Sequence, residues 1–294
     1  MRFVANKEII EKVRRIKILS KRLTENHLAG DYASAFKGSG FEFDQLREYQ
    51  YGDDVRFIDW NASAKNDAIM LKEFTPERDR SIILVVDCSA SMHYSSKEEF
   101  KKDAAVLIAA ALAFIASSSN DKVGLLAYAD TIKAWLPPQK GRLVFTKILD
   151  TLCLAMSQGG ATSTQEAIKF LLGQAPAKSI IFFISDWVDC DENFSRELKI
   201  LAYKHEPVIV RILDELECKM PDCGVLEIED PETLERFSID TSSKSLGELL
   251  QARLLAQNRL FQNCGLEKID IRVGDRIDRK LANFFQLKTR RRKK

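Results

Sequence analysis

Four apolar runs set the strongest limit on what this chain can fold into: "SIILVVD" (81–87), "VGLLAYA" (123–129), "SIIFFIS" (179–185) and "PVIVRIL" (207–213). Each has the length of a strand and lacks the polar alternation of a strand with one wet face, so each is expected to be covered on both sides. Helix-patterned stretches over 98–119, 142–156, 164–173 and 193–204 alternate with them. Buried strands separated by helices predict an α/β fold with a doubly wound, mainly parallel sheet. "GVLEIEDPETLERFSID" (224–240) reads as a β-hairpin turning at "DPET", an addition to that series. A helix over 246–262, a strand over 268–273 and a helix over 278–287 resume it.

Ahead of this unit, Ile9, Val13, Ile16 and Leu23 recur at three- and four-residue steps among charges, which predicts an amphipathic helix over 6–27. "KGSGFEFD" (37–44) reads as a glycine-broken loop, and a short strand is expected over 69–74. The apolar content here is scattered, so residues 1–80 are expected to pack on the main domain, 81–287, rather than to build a core of their own. Arg47, Glu48, Asp53, Asp54, Arg56, Asp59 and Trp60 form either a recognition surface or an ion-pair network that packs this segment on the sheet.

With 45% hydrophobic and 30% charged residues, the composition is that of a soluble globular protein. The longest apolar run, "AAVLIAAALAFIA" (104–116), is well short of the roughly 20 residues of a membrane span and suits a buried helix. "MRFVANKEII" has no secretory-signal pattern, so a cytoplasmic location is expected. The six cysteines are too sparse for a disulfide framework and are read as reduced thiols. "CKMPDC" (218–223) has a zinc half-site spacing, but Cys264 and three scattered histidines do not complete a set of four ligands. The net charge of +2 hides an asymmetry: six basic residues lie from Lys288 onward, and without them the balance is −4. Such a basic tail (288–294) suits either an anionic partner such as nucleic acid or a solvated terminus, and no aromatic platform accompanies it.

In open α/β sheets ligands sit beyond the carboxyl ends of the strands. Three segments are expected at that edge: "DCSAS" (87–91), "QGGATST" (158–164) and "ISDW" (184–187). They bring Asp87, Ser89, Ser91, Thr162 and Asp186 together, with Thr164 as the alternative to Thr162. Oxygen donors without His or Cys suit a hard octahedral cation, Mg²⁺ or Mn²⁺. If the carboxylates act mainly through water, a position stays open for an external carboxylate.

D-x-S-x-S followed by a later Thr and Asp resembles the metal-ion-dependent adhesion site (MIDAS) of von Willebrand factor A domains, whose sheet is Rossmann-like. The resemblance implies that Ser89, Ser91 and Thr162 contact the metal, while Asp87 and Asp186 hold water and neighbouring ligands. The usual Gly-Gly-Thr is here "GGAT", with Ala161 inserted. Upstream, "GSGFEFDQLREYQYGDDVRFIDWNASAK" and "LKEFTPERDRSIILVVDCSASM" resemble the bacterial domain-of-unknown-function-58 family, in which such a segment precedes a von Willebrand A domain. Genes of that family typically accompany MoxR-type AAA+ ATPases, and its proteins are thought to be adaptors in the assembly or maturation of other proteins.

The expected function is therefore a non-enzymatic, metal-dependent protein-binding adaptor whose partner, a MoxR-type AAA+ ATPase or its client, presents an Asp or Glu carboxylate. Two rival readings stand beside it. A metal-dependent hydrolase would use the cation to polarise a phosphoryl oxygen, but the chain has no P-loop and no G-x-S-x-G turn, and His93 is the only nearby imidazole. A nucleic-acid-associated scaffold would use the basic tail, with strong salt dependence.

Overall fold

The computed structural model describes residues 28–36, 41–66, 68–76, 80–157, 159–190, 194–229 and 235–292. The amphipathic segment expected over 6–27 lies outside them. The described chain opens with helix α1 (Leu28–Phe36), strand β1 (Phe41–Glu48), the short helix α2 (Trp60–Ser63) and strand β2 (Met70–Pro76). There follow β3 (Ser81–Asp87), α3 (Lys101–Ser118), β4 (Lys122–Tyr128), β5 (Ile132–Gln139), α4 (Arg142–Ala155) and α5 (Thr164–Gln174). Then come β6 (Ile180–Ser185), α6 (Ser195–Lys204), β7 (Glu206–Leu213), α7 (Glu215–Cys218), β8 (Val225–Glu229) and β9 (Arg236–Asp240). The last elements are α8 (Lys244–Asn263), β10 (Glu267–Arg272) and α9 (Ile277–Arg292).

Six strands form one sheet in the order β10-β7-β6-β3-β4-β5, parallel except for β5, which runs antiparallel to β4. The continuous apolar runs are explained by the layers on either side. Ile82, Leu84 and Val86 of β3 face a core shared with α1, α3, α4 and α9, whereas Ile83 and Val85 face one shared with α5, α6 and α8. The chain is thus a mixed α/β protein with a mostly parallel central sheet. From β3 it winds outward through β4 to β5, then returns to β6 on the other side of β3. The helix after β3 packs on one face of the sheet and the helix after β6 on the other, and the candidate site lies where these two adjacent strands end.

Several local expectations are corrected. The segment read as a loop over 37–44 enters strand β1 at Phe41, which pairs with β2 in a separate antiparallel ladder. The ion pairs Arg47–Asp53 at 2.6 Å, Arg56–Asp54 at 2.6 Å and Lys72–Asp59 at 3.1 Å close within this small unit, and Trp60 is 69% exposed. β5 contains "LPP", a run that argues against a strand; its prolines are tolerated because β5 is an edge. The basic run from Lys288 does not hang free: α9 continues through it to Arg292. Lys288 is buried, pairs with Glu206 (2.7 Å) and with Glu267, and lies over the Phe36 ring at 5.0 Å. Cations at a helix C-terminus also complement its dipole. The hairpin expected over 224–240 is the β8–β9 pair.

Candidate metal centre

Asp87 ends β3 with its side chain fully buried. One carboxylate oxygen accepts the Ser89 N–H at 2.9 Å and the other the Ser185 hydroxyl at 2.8 Å. The first of these bonds turns the chain out of the sheet into a 3₁₀ turn at Ala90–His93. That turn sets the Ser89 and Ser91 hydroxyls 3.0 Å apart, both buried. The glycine loop docks alongside: Ala90 N–H donates to the Gly160 carbonyl at 2.8 Å, and Ser163 N–H to the Ala129 carbonyl at 2.9 Å. Gly160 has φ +130°, and an added Cβ would come within 3.1 Å of an Asp130 carboxylate oxygen, so the position requires glycine.

Thr162 lies between those two anchor points, half-buried. Thr164, the alternative ligand, is engaged elsewhere. Its N–H and hydroxyl both donate to Asp189, each at 2.8 Å, and its oxygen is 3.2 Å from the Tyr128 hydroxyl. Asp189 thereby caps α5 from the loop after β6.

Asp186 follows β6 directly and is buried. One oxygen accepts the Val188 N–H at 3.3 Å, and the other is 2.9 Å from the Lys101 ammonium. Lys101 opens α3, is itself buried, and bonds Glu217 at 2.5 Å. Glu217 completes the capping box of α7 with Asp214. Trp187 holds a left-handed φ of +60°, rare for a bulky residue, with its ring packed on Phe183 and Phe261 at 4.8 and 5.1 Å. Its backbone N–H donates to the Ser185 hydroxyl at 2.9 Å, which ties the turn after β6 to Asp87.

Burial, and then the negative charge of Asp186, push the Asp87 carboxyl up to about 7, against the donors Ser89 and Ser185. Burial likewise raises Asp189. For Lys101 burial works against the charged form, but Asp186 and Glu217 outweigh it and the ammonium is held above its ordinary pKa. Two buried carboxylates, near enough for the charge of Asp186 to raise Asp87, therefore lie beside two buried hydroxyls. A hard divalent ion fits this donor set. Neighbouring ligands of an octahedral ion with bonds of about 2.1 Å stand roughly 3.0 Å apart, which is the spacing of Ser89 and Ser91. Ser89, Ser91 and Thr162 would hold it, with Asp87 and Asp186 as its anionic surround. Among the described residues no group of three or more His, Cys, Asp or Glu side chains is arranged to hold a metal, so the donor set here is one of hydroxyls with two carboxylates.

The ring nitrogens of His93 face the backbone carbonyls of Ser89 (3.2 Å) and Met156 (3.0 Å). Nothing in the sequence marks Lys101 or Glu217 as part of this edge, because each arrives from another element, whereas Asp189 lies three residues after Asp186 in the same loop. Ser185, which adjoins Asp186, was within reach of the same strand-end reasoning.

The strand order and the cluster of oxygen-bearing side chains define a class: a mixed α/β protein with a candidate ligand site at the carboxyl edge of a mostly parallel sheet. Residues 45–259 match the model of the family described as protein of unknown function DUF58, and the chain belongs to that family. Uncharacterized proteins of Mycobacterium tuberculosis and Mycobacterium bovis are 28% identical to it over 267 residues, covering 89% of this chain and 84% of theirs. Among solved structures it is similar to BatB from Bacteroides thetaiotaomicron, with 14% identity, a TM-score of 0.47, and 72% of this chain and 99% of that one covered. An aerotolerance-related membrane protein from Bacteroides fragilis gives 12%, 0.48, 72% and 99%. A von Willebrand factor type A protein from Catenulispora acidiphila gives 14%, 0.39, 74% and 43%. Among the described residues no helix is long and apolar enough to cross a membrane.

Proposed function

We propose that this chain is a doubly wound von Willebrand A-type adaptor, working in the cytoplasm, that binds a partner protein through Mg²⁺ or Mn²⁺ at the edge formed by Asp87, Ser89, Ser91, Thr162 and Asp186. The observation that carries the reading is the pair of buried hydroxyls 3.0 Å apart beside a buried carboxylate that burial and its neighbour destabilise. A bound divalent ion would supply a coordination position for an acidic side chain. The protein's own residues set the terms. Ser89 and Ser91 are neutral donors, Asp87 is pinned by Ser89 N–H and Ser185, and the Trp187 turn fixes Asp186. A partner Asp or Glu adds the anionic ligand that hydroxyls lack. By the family resemblance that partner is a MoxR-type AAA+ ATPase or its client. Against a hydrolase stands His93, whose ring nitrogens both face backbone carbonyls. Against a nucleic-acid scaffold stands Lys288, whose charge is neutralised inside the fold.

Calorimetric titration with Mg²⁺ and Mn²⁺ tests the site. Wild type is expected to bind one ion, and an Asp87→Ala/Asp186→Ala double variant none. Capture of a MoxR-type ATPase is expected to be lost in EDTA and weakened at least tenfold by Ser91→Ala, which removes a ligand that fills no core space. Capture that survives EDTA and the double variant would end this reading.

A further inference from the structure

The proposed role makes no use of Lys101. Its side chain is 1% exposed, with the ammonium between Asp186 of the candidate site and Glu217 of α7, at 2.9 and 2.5 Å. A lysine this buried persists only where it is paired, and removing one partner of such a pair leaves an uncompensated charge. Relative to a divalent ion bound at this edge, a fixed ammonium does two opposite things. It orients Asp186, which favours the ion, and it repels the ion across a water-poor interior where like charges interact more strongly than in solvent.

The orienting effect has substitutes. Asp186 also accepts the Val188 N–H, and its backbone is fixed by β6 and by the Trp187 turn, whose N–H bonds Ser185 and whose carbonyl accepts Gln257 at 2.7 Å. The repulsion is offset by Asp186 itself and, outside the candidate site, by Glu217, which is bonded to the same ammonium. Charge therefore outweighs orientation. We propose that Lys101 is a built-in cation that lowers the affinity of this edge for a divalent ion, with Glu217 as its counter-charge, so that stable occupancy needs the further anion of a partner carboxylate. This rests on the metal-binding reading above and gives it a reason for partner dependence.

The test is calorimetric titration of the full chain with Mn²⁺ alone, for wild type, Lys101→Met, Lys101→Arg and Glu217→Gln, with circular dichroism to confirm folding. Methionine keeps the length of the stem without the charge. Lys101→Met is expected to bind Mn²⁺ about tenfold tighter, Glu217→Gln several-fold weaker, and Lys101→Arg within about twofold of wild type. A merely orienting lysine gives the opposite order for Lys101→Met, because Asp186 is then less well held. If wild type binds Mn²⁺ and Lys101→Met binds it equally or more weakly, the built-in cation is overturned while the metal site stands. If neither wild type nor any variant binds, both fall. Should Lys101→Met fail to fold, unchanged affinity in Glu217→Gln overturns the inference by itself, since that variant removes the counter-charge that lies outside the candidate site.

Discussion

Asp87 carries a charge that the fold around it disfavours. Its carboxylate is fully buried, has the Asp186 charge nearby, and is held up to about 7 even with donors on both oxygens. Asparagine can keep an acceptor for the Ser89 N–H and a contact to Ser185 while removing the charge. In EDTA, Asp87→Asn is therefore expected to be more stable than wild type by on the order of 1 kcal/mol, a gain obtained at the expense of function. Urea unfolding with and without Mn²⁺ checks both halves: the variant should start higher, and only wild type should gain from the ion. A variant less stable than wild type in EDTA would mean that the carboxylate is favourable as it stands. Asp87, Ser89, Ser91 and Asp186 were legible because strand ends fix where they go. Lys101 was not, because its contact with Asp186 spans 85 residues of sequence and depends on how α3 leaves the turn after Ser91.

The edge strand β5 shows how much of an element depends on its neighbour. Gly124 lies within β4, and an added Cβ would come within 2.6 Å of the Leu136 carbonyl oxygen and 2.9 Å of Pro138 N. Those are backbone atoms of β5, so the strands themselves would have to part. Gly124→Ala is expected to cost about 2–3 kcal/mol as overpacking. Gly173, inside α5 with open space around its Cα, provides the control: Gly173→Ala should be neutral or stabilising by up to about 1 kcal/mol. Equal effects of the two in urea unfolding would remove the steric account. The four apolar runs were legible as strands because burial on both faces leaves a continuous hydrophobic signal. β5 and β1 were not. "LPPQ" carries two prolines that only an edge position permits, and β1 begins directly after the glycines of "KGSG", where local turn chemistry points away from a strand.

Over the whole molecule, the first and last described helices close one face of the sheet together. Tyr32 and Phe36 of α1 meet Phe285 of α9 edge-on at 5.6 and 5.8 Å, and Phe36 meets Phe182 of β6 at 5.8 Å. Lys288 fastens this corner, with its stem buried and its ammonium shared by Glu206 at the start of β7 and Glu267 at the start of β10. A positive run at the end of a sequence reads naturally as a tail, because nothing local says that a lysine there will meet two acids from distant strands. The two roles separate by substitution. If the run is a handle for polyanions, Lys288 and Arg290 should matter alike for binding and little for stability. If α9 closes the fold, Lys288→Ala removes the ammonium that Glu206 and Glu267 share and leaves a gap over Phe36. Both glutamates are partly exposed, which lets solvent screen the loss. Lys288→Ala is then expected to cost about 1–2 kcal/mol in urea unfolding, and Arg290→Ala, at an exposed position, to stay within about 0.5 kcal/mol of wild type. Indistinguishable unfolding curves for the two variants would return Lys288 to the solvated tail and reopen the polyanion reading of this end of the chain.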